Sequence, residues 1–104
     1  MKGKSMSAEQ KIQDFETWDD VVLYDVFAEA AHHLGGWLVD EQRKARARGH
    51  DSLADAWEAE RFAVRDEQDA IGPMNREGQA AAILRWNERR AAIDAGAGPK
   101  VDAA

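Results

Sequence analysis

The chain has 104 residues, of which 33 % are charged and 44 % belong to the set AVILMFWYC, the balance of one small globular domain rather than of a disordered tail. Twenty acidic residues against fourteen basic ones leave a formal charge of −6, which opposes broad electrostatic wrapping of nucleic acid. No apolar run approaches the roughly 20 residues that span a bilayer, no secretory h-region is recognisable, and the absence of cysteine removes disulfides, thiolate nucleophiles and Cys-ligated zinc. A cytoplasmic domain without a membrane segment is the expectation.

Residues 1–6 (MKGKSM) show no periodic pattern and are expected to be disordered or tag-like. Residues 7–95 read as a single domain with helical period throughout, and no segment alternates with period two. Ser7 with Gln10 resembles a capping box that opens a short N-terminal helix of about two turns. Thr17 followed by Asp20 marks the next start, and from Trp18 the pattern continues to about Arg48. On a helical wheel its apolar residues, among them Leu23, Phe27, Leu34, Trp37 and Leu38, fill half the circumference. An arc that wide serves two neighbours, for instance another helix of the chain and a second subunit. Gly35-Gly36 interrupts this longest pattern and implies a kink, a break or close packing of another backbone, since two glycines cost about 2 kcal/mol relative to alanines. Arg43, Lys44, Arg46 and Arg48 suit the negative end of the helix dipole, and Gly49 is the stop.

Ser52 is expected to cap a second long helix that runs to about Ile71 and ends at Gly72-Pro73. Within it Leu53, Trp57, Glu60, Val64, Glu67 and Ile71 follow the 4-3-4-3-4 spacing of a coiled-coil-like seam, with carboxylates at two of the six places. A carboxylate on such a seam requires a partner or access to water. Arg90, in the apolar arc of a third helix from Asn75 to Ala95, is expected to form a structural ion pair with Glu60 or Glu67. Phe62 falls on the polar side of its helix and is a candidate contact residue. Residues 96–104 are Gly/Ala-rich and read as a flexible tail. The expected fold is all-α, a small antiparallel helical bundle of three main helices plus the short N-terminal one.

Chemistry is sparsely written. Glu29-Ala-Ala-His32 has the Glu-x-x-His spacing of carboxylate-bridged di-iron bundles, and Glu60 and Glu67 could add oxygen ligands, most simply in a dimer that presents the motif twice. No phosphate loop, nucleophile elbow or zinc signature occurs, so neither catalysis nor a cofactor is expected. Arg85, Arg89 and Arg90 around Trp86 resemble a single-strand platform, and the acidic stretches permit mimicry of a phosphate backbone; the net charge argues against nucleic acid as a partner. The reading favoured by the sequence is a protein–protein interaction module, self-associating and regulatory or inhibitory, with Phe27, Leu34, Trp37 and Phe62 as its contact residues.

Overall fold

Three helices in the order α1 (Asp20–Ala47), α2 (Asp51–Ala70) and α3 (Arg76–Asp94) make up the computed structural model, which describes residue 15 and residues 17–100. The short helix expected after Ser7, the stretch 1–6 and residues 101–104 lie outside the described residues. Among the described residues there is no strand, and the fold is all-α as the helical periodicity requires. No helix among the described residues is long and apolar enough to cross a membrane.

Local chemistry sets the ends. Asp19, not Thr17, caps α1, its carboxylate accepting from Val22 N at 2.9 Å. The exit from α1 is a Schellman turn: Gly49 adopts φ 77°, its N–H donates to Arg46 O, and His50 N donates to Ala45 O at 2.9 Å. That turn already delivers the chain into α2 at Asp51, with His50 in the cap position, so the hydroxyl of Ser52 is not needed as a cap. Gly96, at φ 101°, repeats the Schellman pattern after α3. Asn75 caps α3 through Gly78 N, and the buried Gln79 side chain donates to Gly72 O at 2.9 Å, tying the α2–α3 turn to the helix it feeds.

The three-residue link makes α2 antiparallel to α1, with Gln42 donating to Glu58 and Arg46 to Asp55. α3 returns parallel to α1. Arg76 at its start holds the carbonyls of Phe15 and Trp18 and the carboxylate of Asp20, while Trp86 further along stacks on Phe27 at 5.3 Å between ring centroids. α1 therefore packs against both other helices, and α2 and α3 meet each other chiefly through long side chains. The core lies between α1 and this pair and is built on Leu23, Phe27, Leu34, Leu38, Trp57, Ile83 and Trp86. Principal extents of 47 × 36 × 24 Å describe a slab whose thin dimension is about two helix diameters.

This arrangement corrects the assignment of the wide apolar arc on α1. Its second neighbour is α3 of the same chain. Phe27 and Leu34 are 0 % and 1 % exposed, sealed beneath α2 and α3, and offer nothing to a partner.

Candidate interaction surface

Among the described residues, α1 is covered on one side only. Its outer stripe carries Asp25, Glu29, His32, Gly36 and Arg43, all of them exposed and one or two helical turns apart. α1 is unbroken through Gly35 and Gly36, and a Cβ placed on either glycine would meet nothing within 4 Å. The double glycine is therefore neither a break in the helix nor a site of intrachain close packing.

A groove runs along each side of this stripe, and His32 and Gly36 line both. The first, about 640 Å³, lies between α1 and α3, bordered by His33, Trp37, Asp40 and Arg90. The second, about 660 Å³, lies between α1 and α2, with Ala28, Gly35, Val39 and Arg43 on one wall and Arg61, Val64, Arg65 and Gln68 on the other. No Asp or Glu lines the second groove, although the chain as a whole is acidic. Arg43 and Arg65 take part in no ion pair among the described residues, and the nearest carboxylate to Arg61 is Glu58 at 3.9 Å. The guanidiniums of Arg61 and Arg65 instead sit 4.8 and 5.5 Å from the ring centre of Phe62, which is 44 % exposed. Arg61 Nε is shut from solvent without a hydrogen-bond partner, and so is Arg90 Nε in the other groove.

Of the four contact residues expected from sequence, Trp37 and Phe62 reach this surface. Trp37 is half-buried in the wall of the α1–α3 groove, and Phe62 stands outside the arginines of the α1–α2 groove. The arginine wall itself was legible only as Arg61 and Arg65 one turn apart. Its juxtaposition with Arg43 depends on how α2 docks.

The ion pair on the seam involves a different arginine from the expected one. Glu60 is paired with Arg89, Nε to Oε2 at 2.7 Å and Nη2 to Oε1 at 2.8 Å, with side chains only 5 % and 11 % exposed. Glu67 receives Arg85 and the indole N–H of Trp86, the latter at 2.8 Å. Arg90 pairs with neither: stacking of Trp86 on Phe27 fixes the rotation of α3, which turns Arg85 and Arg89 toward α2 and Arg90 toward the far side of α1. Burial alone would raise the Glu60 carboxyl; hydrogen bonds from Arg89 and from the Lys100 N–H, with their charges, bring it below its ordinary 4.5. Of the tail expected to be flexible from residue 96 on, the described part makes two hydrogen bonds to this seam: Lys100 N donates to Glu60 at 2.8 Å and Arg89 donates to Gly98 O at 2.8 Å.

The carboxylate–histidine reading does not assemble. Glu29 and His32 are on the outer stripe of α1, Glu60 and Glu67 are on the α2–α3 seam with their charges matched by arginines, and no group of three or more His, Cys, Asp or Glu side chains placed to hold a metal ion occurs among the described residues. Nor does the single-strand platform, because Trp86 is 3 % exposed and Arg85 and Arg89 are taken up by carboxylates.

No family model matches the chain, and no curated protein or solved structure matches it.

Proposed function

We propose that this chain is a cytoplasmic protein–protein interaction module that self-associates through the outer face of α1, without catalysis, in a regulatory or inhibitory role. The observation that carries the reading is Gly35-Gly36: two helix-weakening residues at the centre of a continuous 28-residue helix, Gly36 exposed and Gly35 in a groove wall, with no atom of the described residues placed where a side chain on either would begin. A helix that places its least favourable residues where no intrachain neighbour needs them leaves its backbone accessible to another backbone. The flanking grooves supply walls of mixed character, with Trp37 and Arg90 on one side and Val39, Arg43, Arg61 and Arg65 on the other. Tryptophan and arginine are among the residue types from which protein interfaces draw most of their binding energy.

Sedimentation velocity and native mass spectrometry of the full chain, from micromolar to millimolar concentration, test the reading. A concentration-dependent dimer is expected. A chain that remains monomeric across the range removes self-association as its function.

A further inference from the structure

The exposed stripe of α1 is complementary to itself. Glu29 lies seven residues before Gly36 and Arg43 seven residues after it; His32 lies four before and Asp40 four after. Seven residues are two turns and four are about one, so all of them fall close to the line through Gly36 on the uncovered side of the helix. Glu29 and Arg43 have no ion-pair partner among the described residues, and Asp40 is paired only with Lys44, at the surface.

Resting on the self-association reading above, we propose that two copies of this chain pack α1 against α1 in antiparallel fashion, about a two-fold axis at Gly36. In that register Glu29 of each copy faces Arg43 of the other, and His32 faces Asp40. Each pairing occurs twice, as an isologous interface demands. Asp25 comes to the end of the opposing helix, near Arg48, which forms no ion pair among the described residues. A parallel pairing would instead set Glu29 against Glu29 and Arg43 against Arg43. The glycines supply the other requirement. With no side chain at Gly36 and open space around it, the two backbones can approach closely enough for the side chains one and two turns away to reach across. The arginine-lined groove beside the stripe, which holds no carboxylate of its own, then borders the acidic half of the incoming α1. A second copy is favoured over an unrelated partner because the pattern of charge on this stripe is satisfied by its own reverse.

The dissociation constant of the full chain and five variants tests the proposal, with helix content followed by circular dichroism. Glu29→Arg and Arg43→Glu are each expected to weaken the dimer about tenfold or more, since each turns two attractive contacts repulsive, and combining them should restore affinity to near that of the unaltered chain. Gly36→Leu has room in the monomer and should keep or raise helix content while driving the copies apart. Gly36→Ala should weaken the dimer less than leucine does. A dimer indifferent to these changes, or single reversals that the double variant fails to rescue, overturns this register while leaving self-association in place. A monomer at every concentration overturns both.

Discussion

Glu60 holds the most consequential charge in the molecule, because it is nearly closed to solvent and satisfied from two directions, by the Arg89 guanidinium and by the Lys100 backbone N–H. Removing Arg89 leaves that carboxylate without its counter-charge, so Arg89→Ala should cost about 3 kcal/mol in chemical denaturation. Replacing both partners, as Glu60→Leu with Arg89→Met, should come out near neutral, because matched apolar groups carry no desolvation cost. The pair also sets an acid limit. The folded Glu60 carboxyl titrates below its ordinary 4.5, so its contribution is fully present above that value and fades as the pH falls through the lower, folded one. Unfolding free energy measured down a pH series should therefore decline below about pH 4.5, and the slope should shrink in the Glu60→Leu, Arg89→Met protein. Two carboxylates on an apolar seam were legible from spacing alone, and so was their need for arginines from the third helix. Which arginines serve was not: adjacent residues differ by 100° around a helix, and the rotation of α3 is decided by Trp86 on Phe27 and Gln79 on Gly72, contacts between residues far apart in sequence.

At the scale of elements, what the sequence shows best is where helices stop. Gly49, Gly72-Pro73 and Gly96 end the three helices because backbone conformation is a local matter: Gly49 and Gly96 take positive φ that a side chain would oppose, and a proline cannot continue the hydrogen-bond ladder. Starts are less legible. Asp19 displaces Thr17 as the cap of α1, and the Schellman turn makes a side-chain cap at Ser52 unnecessary. Gly35-Gly36 was legible as an anomaly, yet its resolution was not, since an unbroken helix, a kink and a packed crossing share one sequence. Because the helix is intact and the space beside Gly35 is empty, Gly35→Ala should stabilise the monomer by about 1 kcal/mol, raising its melting temperature by roughly 4–8 °C. Calorimetry at dilutions where the chain is monomeric checks this. A loss of stability there would mean that the glycine relieves strain in α1 itself.

Across the whole molecule, α1 is the shared member on which α2 and α3 both rest, antiparallel and parallel to it respectively. Fold class and helix order follow from a 3.6-residue period and short links. The placing of Phe27 and Leu34 inside does not, because a wide apolar arc has the same appearance whether its second neighbour belongs to the chain or to a partner. Residues 98–100 bind the far edge of this assembly. Gly98 and Lys100 have no apolar side chain to bury, and what holds them is the Glu60–Arg89 pair. Their amides consequently sample the α2–α3 contact without contributing to its core. In hydrogen exchange the Lys100 amide should be protected well beyond that of an exposed tail, and should lose its protection in Arg89→Ala before the amides of α1 do. A single backbone proton then serves as a gauge of whether the seam is shut, readable at one NMR cross-peak while the rest of the fold stays silent.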